Sequence, residues 1–243
     1  MSSHPHLPEN VRRIETDELF SFDCRPGNPC FTDCCRQLEL ALSPYDVLRL
    51  CRATGLSSDE FLDRYVIIEQ EDGDVFPRFY FTMVDDGKES CVFVSRQGCT
   101  VYEHRPGACR AYPMGRAVIR EDDRFLEFFV LLKENHCLGF SNKTPHTAVS
   151  YSKDQGLEPY NRFNDALASI IQHEKVRAGM SFNKEQIDAY ILLLYNLDQF
   201  RHQLECGELG HTKVDELSNH DQWDNEELLL HGIDRLRQVL FGI

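Results

Sequence analysis

The chain has 243 residues, of which 42% are hydrophobic, 11% aromatic and 27% charged, the make-up of a folded protein rather than a low-complexity tail. Its 26 Lys and Arg against 40 Asp and Glu give a net charge of −14, which repels phosphate backbones and anionic lipid, so neither nucleic acid nor a membrane is an expected partner. The opening MSSHPHLPEN shows no basic stretch followed by an apolar one, and no apolar run reaches a membrane-spanning length. A cytoplasmic setting is therefore expected, where ten cysteines serve metals or redox chemistry more readily than disulfides.

Residues 1–20 are polar, carry His4 and His6 and show no period, which predicts a tail. The stretch from Cys24 to Cys35 holds Pro26, Gly27 and Pro29, which forbid a regular element and predict a loop that wraps something. Ser43 as N-cap, Pro44 at the first helical position and Asp46 near the helix dipole predict a helix to about Ala53, stopped by Gly55, with Val47, Leu48 and Cys51 on its apolar face. Ser57 and Glu60 have capping-box spacing for a second helix, whose buried stripe is Phe61, Leu62 and Tyr65. The β-branched and aromatic run Val75 to Val84, the turn Asp85-Asp86-Gly87-Lys88 and the strand from Cys91 predict one hairpin, and Pro77 marks its first strand as an edge. Met114 to Ile119 and Phe125 to Leu132 predict another, through a charged turn from Arg120 to Arg124.

Residues 141–157 are rich in Ser, Thr, Asn and Lys and read as a connecting segment between a cysteine-bearing domain over 21–140 and a helical region over 158–243. Three helical periods follow: Phe163, Leu167, Ile170 and Ile171; Ile187 to Leu197; and Leu228 to Leu240. The expected fold is α+β, a loop-rich cysteine domain with a small antiparallel sheet and flanking helices, followed by a C-terminal helical region.

Eight cysteines are the candidate metal ligands: Cys24, Cys30, Cys34, Cys35, Cys91, Cys99, Cys109 and Cys137. Four thiolates complete a tetrahedral zinc site, and four also hold a [4Fe-4S] cluster, so eight suffice for one or two centres. No C-x2-C turn of the zinc type occurs, and wide, irregular gaps suit iron-sulfur ligation better. Adjacent side chains diverge, so Cys34 and Cys35 are expected to serve different centres. Arg25, Arg36, Arg105 and Arg110 lie beside these thiols in sequence and are expected to compensate thiolate charge and donate hydrogen bonds to sulfur, or to support the cluster loops. His136 and His104 read as bystanders, Cys51 as a core thiol and Cys206 as incidental. No dinucleotide fingerprint, Walker A loop, HExxH, GxSxG or radical-SAM cysteine triad is present.

Taken together, Cys24 to Cys35, Cys91-Val-Phe, Gly98-Cys99-Thr-Val-Tyr-Glu-His-Arg-Pro, Cys109-Arg-Ala-Tyr-Pro and His136-Cys137-Leu-Gly-Phe resemble the YkgJ-type cysteine-cluster family, also called CxxCxxCC, a zinc- or iron-chelating domain. The resemblance runs from roughly residue 20 to 140, and Asp154-Gln-Gly-Leu-Glu-Pro-Tyr160 is similar to an adjoining segment of longer members. Here the spacing is C-x5-C-x3-C-C rather than the name-giving C-x2-C-x2-C-C. The resemblance implies that the eight cysteines are ligands and offers no counterpart for Cys51 or Cys206. Flagellin lysine N-methylases are similar in the cysteine region and imply an iron-sulfur centre. The expected function is thus a metal-binding protein with one or two [4Fe-4S] clusters for electron transfer or redox sensing with a protein partner. The alternatives are an iron-sulfur-dependent protein-lysine N-methylase and a structural zinc protein.

Overall fold

The computed structural model describes residues 7–121, 124–141, 143–208 and 223–242. It is an α+β arrangement of helices and small antiparallel sheets that ends in helices. His4 and His6, with residues 122–123 of the charged turn, lie outside the described residues. Among those described, no helix is long and apolar enough to cross a membrane. The chain forms two compact units, one of Met1–Leu38 with Met83–Asn161, the other of Glu39–Thr82 with Arg162–Ile243.

The first unit is built on a three-stranded antiparallel sheet in which Arg124–Leu132 lies between Val11–Ile14 and Met114–Glu121. Phe129 and Leu131 alternate inward along the central strand, as a half-buried strand requires, and join Ile14, Phe20, Phe22 and Tyr151 in the unit's core. Val11–Ile14 falls in the stretch expected to be a tail. Only Ile14 of its four residues is buried, so the strand forms through main-chain pairing rather than through any period in its side chains. Three two-stranded ribbons complete the unit: Phe20–Ser21 with Pro145–His146, Met83–Val84 with Ser90–Cys91, and Val94–Ser95 with Gly98–Cys99. A short helix, Ala148–Asp154, occupies the stretch read as connector; Thr147 and Ser150 cap it reciprocally.

In the second unit the helix Pro44–Thr54 starts where its sequence predicts, and Asp46 and Ser43 exchange the hydrogen bonds of a capping box. Ser58–Tyr65 follows with the Ser57 and Glu60 box. The expected strand 75–84 divides at Thr82, whose amide bonds the carbonyl of Tyr65. Its first part, Arg78–Phe81, pairs with Val66–Glu69 in this unit, whereas Met83–Val84 belongs to the other. Helices Lys184–Leu194, Leu197–Glu205 and Asn225–Phe241 pack with the two early ones. Tyr45 stacks on Phe163 at 4.3 Å, Phe79 on Tyr195 at 3.5 Å, and Ser58 bonds Asn196 and Asp198. These contacts place residues 39–82 with the C-terminal helices, although the sequence groups them with the cysteines.

Candidate metal centre

All eight candidate ligands lie in the first unit, while Cys51 and Cys206 lie in the second. The Cys24–Cys35 loop is a chain of tight turns, with Asn28 N bonding Arg25 O, Phe31 N bonding Asn28 O and Asp33 N bonding Cys30 O at 2.9–3.2 Å. It ends in a 3-10 turn over Asp33–Cys35. Its root is stitched to the segment after Cys137: Asp23 N donates to Gly139 O at 3.1 Å, Phe22 N to Thr144 O at 3.2 Å, and Leu138 N to Cys30 Sγ at 3.2 Å. Gly139 permits this approach, because a Cβ there would run into the ring of Phe22.

The far end of the loop is stitched to the strand that carries Cys91. Gln37 N donates to Glu89 O at 2.9 Å, and Arg36 bridges Ser90. Cys99 pairs with Val94 in the next ribbon. Gly98 before it takes φ +118 and faces the Phe31 ring, 3.1 Å from where a Cβ would stand, so the residues beside Cys30 and Cys99 meet. Thr32, Gln37 and Glu89 hold φ of 70, 53 and 49, a left-handed conformation that costs a non-glycine residue about 1–3 kcal/mol. Each lies two positions from a candidate cysteine. Such strain collects where the surrounding structure fixes a functional geometry.

The thiols act on one another. Burial raises the Cys24 thiol to about 11, with Cys34, Cys30 and Cys137 adding their charges. Cys34 is raised by its hydrogen bond with Cys35 and then by burial. Burial also raises Cys91, where Cys99 and Cys34 add to it, and Cys99, where Arg105 pulls the other way. Seven thiols from separate chain segments are thus electrostatic neighbours, and Cys34 is common to the largest number of these interactions. The 3-10 turn brings Cys34 and Cys35 into hydrogen-bond contact rather than splaying them as a regular helix or strand would. Cys109 stands exposed on the short helix Gly107–Ala111. Among the described residues no three His, Cys, Asp or Glu side chains draw together closely enough to hold an ion, so the thiols are gathered but not closed on one point.

The arginines use their donors differently from the expectation. Arg105 bonds Tyr102 O and Gln155 Oε1 at 2.7 and 2.8 Å, and Arg110 bonds the carbonyls of Arg105, Gln155 and Glu103 at 2.5–3.2 Å. Arg36 bonds Thr32 O, and Arg25 pairs with Asp23. Their hydrogen bonds thus go to oxygen rather than to sulfur, because neighbouring turns present carbonyls at the right distance. Arg105 and Arg110 are each only 8% exposed, and among the described residues neither pairs with a carboxylate. Two buried cations without counter-ions are costly alone and suit a neighbouring anionic centre.

Two further residues carry no cysteine-like signal in the sequence. Burial raises the pKa of the Tyr112 hydroxyl, and the Cys137 thiol and the Glu134 carboxylate beside it raise it further. Tyr151 donates to the Tyr112 carbonyl at 2.6 Å, and its own pKa is raised by burial, then by Cys24. Tyr112 was legible only as part of Cys109-Arg-Ala-Tyr-Pro. His136 lies 3.6 Å from Glu134. A cluster of thiols together with the buried Arg105 and Arg110 fits a thiolate-bound metal.

Residues 23–138 match the CxxCxxCC family, described as "Putative zinc- or iron-chelating domain". This stretch is similar to that cysteine-cluster family. The CxxCxxCC segment opens at the residue before Cys24 and closes at the residue after Cys137, so it encloses all eight candidate ligands. The description of the matched domain points to chelation of zinc or iron in this part of the chain. Neither a curated protein nor a solved structure matches the chain.

Proposed function

We propose that the chain is an iron-sulfur protein in which Cys24, Cys30, Cys34, Cys35, Cys91, Cys99, Cys109 and Cys137 supply the thiolates of one or two [4Fe-4S] clusters. These clusters pass or sense electrons with a protein partner in the cytoplasm. The observation that carries the reading is that the Cys24–Cys35 loop is stitched to the segment after Cys137 through Leu138 N and Cys30 Sγ, to the strand of Cys91 through Gln37 and Glu89, and to the turn before Cys99 through Phe31 and Gly98. Wide gaps and the lack of a C-x2-C turn favour iron over zinc. When bound, such a cluster supplies one-electron transfer.

The protein's own residues have separable tasks in this reading. Cys24 interacts with Cys30, Cys34 and Cys137, and Cys91 and Cys99 interact with each other and with Cys34, a division suited to two centres meeting at the Cys34–Cys35 turn. Arg105 lowers the cost of negative charge on the Cys99 thiolate, while the bonds of Arg105 and Arg110 to carbonyl oxygens hold the loop after Cys99. The visible spectrum of protein purified without oxygen tests the choice of metal. Broad brown absorption that dithionite bleaches supports iron-sulfur, whereas a colourless zinc protein insensitive to reductant would contradict it and leave structural chelation.

A further inference from the structure

The strand Val66–Glu69 in the second unit is paired on one side only. Its register sets Val66 against Phe81, Ile67 against Tyr80, Ile68 against Phe79 and Glu69 against Arg78. One step before it, the Tyr65 carbonyl accepts from Thr82 N at 2.9 Å. Bonded and unbonded positions alternate along an antiparallel pair, so Ile67 and Glu69 turn their main-chain groups to the partner strand and Val66 and Ile68 turn theirs away. The far side of Arg78–Phe81 is closed in the same phase: Leu42 N donates to Phe79 O at 2.7 Å and Phe81 N to Leu40 O at 3.2 Å. On the near side the Val66 amide bonds Leu62 O at the end of the preceding helix. The Val66 carbonyl and both main-chain groups of Ile68 therefore face outward, without a partner among the described residues.

The side chains of this edge are uncovered too. Ile67 and Ile68 are each 45% exposed, and Glu69, Glu71 and Asp72 after them are exposed. Open edges are usually guarded by lysine, proline or a bulge, yet this strand reads VIIE in a regular register. Ile68 shares a face with Phe79, which is buried and stacks on Tyr195, so an apolar side chain on an added strand would lengthen the core face. Ile67 and Glu69 share the other face. There Arg78 is held by Asp74 at 2.6 Å, and the three exposed carboxylates favour a basic side chain opposite them. We propose that Val66–Glu69 is a docking edge that takes an extended, basic segment of a partner protein as an added strand. The segment places apolar residues on the Ile68 face and lysine or arginine on the Glu69 face. A second copy of this chain is the poorer occupant, because each copy carries a net charge of −14 and the same acidic turn.

The probe is a labelled peptide of about six residues that alternates valine and lysine, titrated into the full chain and followed by fluorescence anisotropy. It should bind, more weakly as salt is raised, and a valine-glutamate peptide should not. Hydrogen exchange on the unchanged protein should show the Ile68 amide gaining protection with the peptide, while the amides of Ile67 and Glu69, already bonded, change little. Ile68→Pro removes the outward amide at an edge position that tolerates proline, so the variant should fold and lose about tenfold or more in peptide affinity. Ile68→Ala keeps the amide and should lose less. Absence of binding, equal binding of the glutamate peptide, protection confined to other segments, or full affinity in folded Ile68→Pro would each overturn the proposal. If Ile68→Pro failed to fold, the exchange pattern of the unchanged protein decides. Protection of Ile68 that grows with protein concentration in the absence of peptide would give the edge to a second copy and overturn the choice of occupant.

Discussion

Leu138 donates its amide hydrogen to the sulfur of Cys30 across 3.2 Å, joining the residue after Cys137 to a loop more than a hundred positions upstream. The bond converts sequence-distant cysteines into neighbours and leaves one lone pair of the Cys30 sulfur oriented by the main chain. Amide hydrogen bonds to sulfur are among the levers that set the properties of thiolate-metal centres.

Cys34 touches the greatest number of the other thiols electrostatically, so Cys34→Ser should remove most of the bound metal. Cys51→Ser should remove none. Burial, followed by the charge of Asp198, raises Cys51 to about 12, and it lies in the other unit. Elemental analysis of the two variants checks this, and equal losses would refute the assignment.

Arg110 holds three main-chain carbonyls at once. Arg110→Met keeps much of its volume but leaves those acceptors unsatisfied, so stability should fall by about 2–4 kcal/mol. Denaturant unfolding of the metal-free protein measures it. Arg105→Gln should act differently: it removes the charge that lowers the Cys99 thiol, weakening metal binding more than folding.

Burial and neighbouring thiols raise Cys24 from an ordinary value of 9.0 to about 11 and also raise Cys34, Cys91 and Cys99. These thiols are protonated near neutrality and must release protons to bind metal, so apparent affinity should rise with pH across the neutral range. The sign for folding is opposite. A thiol that holds its proton more tightly when folded stabilises the metal-free protein below its unfolded value, and that stability fades as pH climbs from about 9 through about 11. Melting curves of the metal-free protein at pH 7, 9 and 11 should show a falling midpoint, and a rising one would contradict the direction of these shifts.

Gly139 faces the Phe22 ring with no room for a methyl group. Gly139→Ala should push the ring aside, cost about 1–3 kcal/mol and loosen the stitch between Asp23 and Gly139 that holds the root of the cysteine loop. Both stability and metal content should drop. Unchanged values in the two measurements would show that the close approach does not support the site.

Helices with strong caps were legible in the sequence. Ser43 with Asp46 and Ser57 with Glu60 begin helices where their residue types demand it, and the apolar alternation ending in Phe129 and Leu131 gives a strand. Elements without a period were not. Val11–Ile14 buries only one side chain, Ala148–Asp154 has the composition of a linker, and Tyr195 and Asn196 divide a leucine stripe that reads as one continuous helix. In the site, the identities of the cysteines carried the metal reading because thiols in turn-rich loops have few other uses. The left-handed backbone at Thr32, Gln37 and Glu89 has no mark in residue type.

Metal and acid-labile sulfide content of protein purified without oxygen tests the central claim most directly. About four to eight irons per chain with matching sulfide are expected, one or two clusters on the eight thiolates. One or two zincs without sulfide would contradict the iron-sulfur reading, and a chain devoid of both metals would contradict chelation by these cysteines altogether.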